Sequence, residues 1–219
     1  MLLLGLETSC DETAAAVVQD GRRALSNVIA SQIDIHKEYG GVVPEIAARS
    51  HIEVVLPVIH EALEKAKVTW DDIDGIAVTA GPGLLGSLLI GTMTARSIAL
   101  ARHKPLYAVN HVVAHTFANM LIEHAPEFPM LSLSASGKHS ELLLFESPLE
   151  YRLLGRTRDD AAGEAFDKVA RMLGLEYPGG PKISQMAPLG NEHAYKLPMA
   201  ALGDSLDFSF SGLKTAVLR

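Results

Sequence analysis

The sequence predicts an α/β fold built as two units. Three observations carry this reading. Apolar runs of strand length alternate with segments patterned at helical spacing. The first three runs make a β-meander. The same order, meander and then helices, restarts near residue 130. Composition agrees: 219 residues, 48% apolar and 21% charged, suffice for a buried core and fall outside the compositions that stay disordered.

The elements follow in order. Leu2–Leu6 is a short run of buried-strand length, Ala14–Val18 a second with a turn signal at Asp20-Gly21, and Ala24–Ala30 a third. Gly40 and Gly41 break the chain. Ile52, Val55, Leu56, Ile59 and Leu63 then form one helical apolar stripe, with Pro57 inside it predicting a kink or two helices. Thr69 and Asp72 have capping-box spacing for a short turn. Ile76–Thr79 reads as a strand running into Gly81-Pro82-Gly83. Leu84–Ala101 is a helix of small and apolar residues, able to approach a sheet closely. Leu106–Val109 is a strand, and Val112 to about Glu123 a helix. This alternation predicts a largely parallel sheet.

Past Pro126–Pro129, Met130–Ser134, His139–Phe145 and Tyr151–Leu154 are strand candidates, and Ala161–Leu173 is a helix ended by Gly174. The predicted units are therefore 1–129 and 130–219. A final helix begins at Leu213 and reaches Arg219, which suggests a natural protein that continues beyond this point.

Charge and composition exclude several classes. The net charge of −7 disfavours a dedicated duplex-DNA binder. Cys10 is the only cysteine, so no disulfide scaffold is possible and a reducing, cytoplasmic setting is expected. No apolar run reaches the roughly 18 residues of a spanning helix. The start lacks the basic flank of a signal peptide.

Six segments have the residue types of a site. Glu7-Thr8-Ser9-Cys10-Asp11-Glu12-Thr13 ends the first strand in dense polarity, where Asp11 or Glu12 can act as a base or hold a cation, against the plainer reading of a polar turn. Gly81 to Ser87 joins a strand to a helix, where backbone can approach an anion or pack closely. His111 and His115 lie four apart on one helix face, a spacing that suits two imidazoles on one ion but is also common without a metal. Ser134-Ala135-Ser136-Gly137-Lys138-His139-Ser140 joins two strand candidates, where small residues plus Lys138 can meet a phosphate or form an ordinary polar hairpin. The acids of Asp159 to Asp167 offset a helix dipole, yet Gly163 sits where Ala is better by about 1 kcal/mol. Tyr177-Pro178-Gly179-Gly180-Pro181 is a rigid turn into a further helix.

Together and in this order, these segments resemble the TsaD family, the tRNA N6-adenosine threonylcarbamoyltransferases, once described as glycoprotease-like. The resemblance runs through ETSCDET, HKEYGGVVPEIAARSH, TAGPGLLGSLLIG, the His111/His115 pair, DDAAGEAFDKVARMLGLEYPGGP and DFSFSGLKTAV. It implies the actin/sugar-kinase/Hsp70 fold, with two related lobes, the second incomplete here. It implies transfer of threonylcarbamoyl from threonylcarbamoyl-AMP to N6 of adenosine 37 in tRNAs reading codons that start with A. Asp11 and Glu12 would be catalytic. Ser134, Ala135, Ser136, Gly137, Lys138, Asp167 and Gly180 would bind the adenylate. One divalent metal ion, iron or zinc, would sit on His111 and His115, its third protein ligand an aspartate absent from this chain. The implied partners are a TsaB-like paralogue forming a heterodimer and a TsaE-like ATPase, with no membrane.

Two motifs depart from the family pattern. Its His-x-Glu-Gly-His reads His111-Val112-Val113-Ala114-His115, and its Ser-Gly-Gly-His reads Ser136-Gly137-Lys138-His139. If Lys138 needs positive φ, it costs about 1 kcal/mol more than glycine. These changes and the length leave an alternative: a non-catalytic, shortened paralogue that scaffolds a TsaB-like partner. A metallopeptidase is disfavoured, because no Glu follows His111.

Overall fold

The structure is a computed structural model and describes residues 1–219. The chain divides into two compact units, Met1–Ala125 and Pro126–Arg219.

In the first unit, β1 (Leu2–Glu7), β2 (Glu12–Gln19) and β3 (Arg23–Ser31) form the expected meander. The short helix α1 (Ile33–Lys37) follows, additional to the predicted elements. Then come α2 (Pro44–Ala66), β4 (Gly75–Gly81), α3 (Leu85–Arg102), β5 (Leu106–Asn110) and α4 (His111–Phe117). The sheet order is β3-β2-β1-β4-β5. β1 pairs antiparallel with β2 and β2 with β3, whereas β1–β4 and β4–β5 are parallel. The sheet is thus mixed rather than largely parallel. The tight turn Asp20-Gly21-Arg22 returns β2 to β3 directly, and only the helical crossovers make parallel neighbours.

Alternation on β2 sends Thr13, Ala15 and Val17 to the buried face. With Leu4, Leu6, Ile76 and Val78, the apolar Ala15 and Val17 join Val55, Val58, Ile59 and Ala62 of α2 and Ala95 and Ala99 of α3 in one core cluster. α2 is one continuous element through Pro57, not two helices. Pro44 at its first turn suits a position whose N–H needs no intrahelical partner. α4 is shorter than expected. It ends at Phe117 and gives way to a 3-10 turn, Ala118–Leu121. The Thr69 amide and hydroxyl both donate to Asp72 Oδ2 at 2.8 Å, closing a turn that no helix follows.

The second unit holds a three-stranded antiparallel sheet, β6 (Met130–Ala135), β7 (Ser140–Ser147) and β8 (Glu150–Arg156), in that order. Helices α5 (Ala162–Met172), α6 (Gly179–Met186) and α7 (Ser211–Leu218) follow. Phe145 is fully buried and stacks on Tyr151, with ring centroids 4.8 Å apart.

Candidate metal and nucleotide sites

In the first unit, Glu7, Thr79 and Asn110 stand at the carboxyl ends of the adjacent parallel strands β1, β4 and β5. Such strand ends are where open α/β sheets place ligands. Asn110 caps α4, its side-chain oxygen accepting from the amides of Val112 and Val113 at 2.9 and 3.1 Å. The cap fixes the helix that starts with His111.

Glu7 is the hub of this cluster. Its Oε2 accepts from His111 Nδ1 at 3.0 Å and from the Thr79 hydroxyl at 2.6 Å. Its Oε1 accepts from the Ser9 amide. Burial alone would push the carboxyl up, but the bonds from His111, Ser9 and Thr79 outweigh it and hold the pKa at about 2. Glu7 is therefore an anion at neutral pH, and His111 carries its proton on Nδ1. The Ser9 hydroxyl also lies 3.1 Å from that nitrogen.

With Nδ1 turned to Glu7, Nε2 is the ring nitrogen of His111 that faces His115. His115 Nε2 lies 3.1 Å away, and the two rings meet edge to face. Two nitrogens that far apart can both bind one ion at about 2.1 Å. A carboxylate behind the far nitrogen of a metal-binding histidine is the usual orienting partner. Burial first, and the neighbouring His111 second, push the His115 imidazole below its ordinary pKa, favouring the neutral form that ligates. The pair fits a divalent metal. No group of three or more His, Cys, Asp or Glu side chains in the chain is arranged to hold one, so a metal on this pair would take two ligands from it. No spacing in the sequence links Glu7, Ser9 or Thr79 to His111. The readable signal was that each stands at or just after the end of a predicted strand.

Asp11 is half-buried on the turn after β1, and Glu12 is exposed as the first residue of β2. Backbone carbonyls of this turn are held one by one. Leu84 N–H donates to Ser9 O at 2.8 Å, the Ser87 hydroxyl to Cys10 O at 3.2 Å, and Gln32 N–H to Asp11 O at 3.0 Å. The glycine loop expected near an anion thus packs on the turn: a Cβ at Gly83 would lie 2.6 Å from Ser9 O.

In the second unit, Ser134 and Ala135 end β6, and Ser136 to His139 form the loop to β7. Ser136 N–H donates to His139 O at 2.8 Å, and Gly163 N–H donates to Ser136 O at 3.0 Å. The loop therefore rests on the start of α5. A Cβ at Gly163 would come within 2.7 Å of Gly137 Cα, which explains why glycine opens this helix. Lys138 is exposed and is not among the residues with positive φ. The conditional backbone cost expected for it does not arise. Asp167 Oδ1 accepts from the Gly179 amide at 2.8 Å, joining α5 to the start of α6, which carries Gly180. The structure so brings the loop, Gly163, Asp167 and Gly180 onto connected elements of one unit.

Comparison with known proteins agrees with this architecture. The family model for TsaD, tRNA N6-adenosine threonylcarbamoyltransferase, matches residues 23–219. The chain is 57% identical over 218 residues to the tRNA N6-adenosine threonylcarbamoyltransferase of Symbiobacterium thermophilum, covering 100% of this chain and 64% of that protein. It is 58% identical over 219 residues to that of Dehalococcoides mccartyi strain BAV1, covering 100% of this chain and 67% of that one. Among solved structures, component A of the Acidaminococcus fermentans (R)-2-hydroxyglutaryl-CoA dehydratase matches with a TM-score of 0.53 at 15% identity, over 100% of this chain and 67% of that chain. The chain belongs to the TsaD family. Its fold is of the actin/sugar-kinase/Hsp70 type. It spans about two thirds of the length of the relatives it matches.

Proposed function

We propose that the chain provides the metal-binding histidines and the adenylate-binding loops of a tRNA N6-adenosine threonylcarbamoyltransferase. The observation that carries this is the Glu7–His111–His115 arrangement at the carboxyl ends of parallel strands, in a chain of this family.

The donor, threonylcarbamoyl-AMP, is an already activated mixed anhydride, so no covalent nucleophile is needed. The N6 amine of adenosine 37 attacks the carbamoyl carbon. A C–N bond forms, the C–O bond to the phosphate breaks, and AMP leaves with the electron pair. The proton lost from nitrogen goes to Asp11 or Glu12. The Ser134–Lys138 segment and Gly180 receive the adenylate, and Asp167 hydrogen-bonds its ribose. His111 and His115 hold a divalent ion, iron or zinc, with a third ligand from outside these residues. When bound, the ion supplies Lewis-acid polarisation of the carbonyl oxygen. Glu7 keeps His111 in the ligating tautomer. The adenosine lies in an anticodon loop, where its base is reachable without opening a duplex.

A TsaB-like paralogue is the partner that fits the first unit. Ile52 and Leu56 on α2 and Leu85, Leu89 and Met93 on α3 are each half or more exposed. A paralogue of the same fold would carry equivalent helices, so stripe would meet stripe about a pseudo-twofold axis. A TsaE-like ATPase and a cytoplasmic location complete the reading. No helix is long and apolar enough to cross a membrane.

The test is threonylcarbamoyl transfer to tRNA by the whole protein with its partners present. His111→Ala is expected to lower the rate by about a hundredfold or more. Unchanged transfer in that variant would exclude the metal role.

A further inference from the structure

A buried chain of side chains runs beside the Asp11–Glu12 turn and has no part in the reading above. His36 and His51 are fully buried, Thr13 and Gln32 nearly so. The polarity of the chain is fixed by backbone groups. Val43 N–H can only donate, so His36 Nδ1 accepts from it at 3.3 Å. His36 Nε2 then carries the proton and donates to Gln32 Oε1 at 3.2 Å. Gln32 Nε2 donates to Ala47 O and to His51 Nδ1, both at 3.4 Å. The Thr13 hydroxyl donates to the same nitrogen at 2.7 Å. His51 Nε2 must then be protonated, and it donates to Cys10 O at 3.0 Å.

The Val43 N–H can only donate and the Cys10 and Ala47 carbonyls can only accept, so a single tautomer of His51 satisfies all of them. Protonation of Nδ1 would set an N–H against the Gln32 amide donor. The nearby ionisable groups are Glu7 and Asp11 on the β1–β2 turn and His36 on α1. α3 contributes the neutral Ser87 hydroxyl, which shares Cys10 O with His51.

We propose that His51 is a positioning residue: as a neutral, Nε2-protonated imidazole it clamps Cys10 O and so fixes the turn that presents Asp11 and Glu12. This rests on the proposed role of those carboxylates. The consequence is specific. A misplacement on the order of 1 Å at a reacting group costs up to about a hundredfold in rate, while substrate affinity held elsewhere is untouched.

Two variants separate the hydrogen bond from packing. His51→Phe keeps the ring volume and loses the donor. His51→Gln keeps a donor near the Nε2 position. In the whole protein with partners, threonylcarbamoyl-AMP and tRNA, His51→Phe is expected to lower kcat about tenfold to a hundredfold with KM for tRNA changed less than about twofold, and His51→Gln to recover most of kcat. A folded His51→Phe protein with wild-type kcat, or equal losses in both variants, overturns the proposal. Long-range proton–nitrogen NMR of the wild-type chain gives a second readout that needs no variant to fold. An Nε2–H neutral imidazole at pH 7 is expected, and an Nδ1–H tautomer or an imidazolium overturns the proposal. If wild-type protein shows no transfer at all, the functional reading fails separately. The positioning role is then decided by the Cys10 carbonyl and Asp11 and Glu12 amide shifts in His51→Gln and His51→Phe. Shifts that move in the Phe variant and return in the Gln variant support it, and unmoved shifts overturn it.

Discussion

At the scale of single residues, the first unit shows how burial selects protonation state. Glu7 and His51 are both withdrawn from water, with opposite outcomes. Glu7 receives several donors and stays charged, whereas His51 faces a carbonyl and two donors and stays neutral. Burial, only partly offset by the bond to Cys10 O and by Asp11 and Glu7, lowers the His51 pKa below its ordinary value. The sign of the linkage follows. The unfolded chain binds a proton at His51 more readily than the folded chain, so stability rises with pH. The contribution is fully present above the ordinary histidine pKa of about 6.5 and declines as pH falls below it toward the folded value. Denaturant titrations from pH 7.5 down to 5.5 should therefore show a steeper loss of stability in wild type than in His51→Gln. Parallel slopes would mean that His51 does not titrate differently in the two states.

At the scale of elements, the recurring device is a glycine where a side chain would collide with fixed backbone. Gly163 opens α5 against Gly137 and Ser136. Two effects compete in Gly163→Ala. Helix propensity favours alanine by about 1 kcal/mol. The added Cβ meets backbone at 2.7–2.9 Å, which cannot yield as a side-chain tip would, and overpacking of this kind costs about 1–3 kcal/mol. The clash should win, lowering the midpoint of urea unfolding of the second unit. A raised midpoint would show that the loop is free to move off α5. The same example shows what was legible in the sequence. Gly163 in a helix signalled close approach, but the atoms approached lie 26 residues earlier and no local pattern names them. Strands were read well because turn signals bound them. The parallel share of the sheet was overestimated, because local signals leave the strand-to-strand pairing of the sheet as a whole unstated. The His111/His115 spacing was visible, whereas Glu7 joined them only once β1, β4 and β5 were adjacent.

At the scale of the whole molecule, the two helices that cover the first sheet have different duties on their two sides. α3 buries Ser87, Gly91, Ala95 and Ala99, a row at four-residue spacing. Gly91 lies against Thr8, where a Cβ would strike the hydroxyl that donates to Ser87 O. Small residues thus bring the helix close to the turn that carries Asp11 and Glu12. The opposite stripe, Leu85, Leu89 and Met93, is exposed and makes no contribution to that packing. A charge there should leave folding intact and act on association alone. Leu89→Asp is expected to keep the thermal midpoint within about 2 °C of wild type, since exposed substitutions change stability by about 0.5 kcal/mol or less. If the proposed TsaB-like paralogue docks on this stripe, the variant should weaken its binding by at least about thirtyfold, because a carboxylate at the centre of such an apolar interface would be buried without a partner. Titration calorimetry with the purified paralogue measures this directly. Sedimentation of the chain alone shows whether a second copy occupies the same face. Undiminished paralogue binding by Leu89→Asp would place the interface elsewhere, and a wild-type dimer abolished by Leu89→Asp would assign the stripe to self-association.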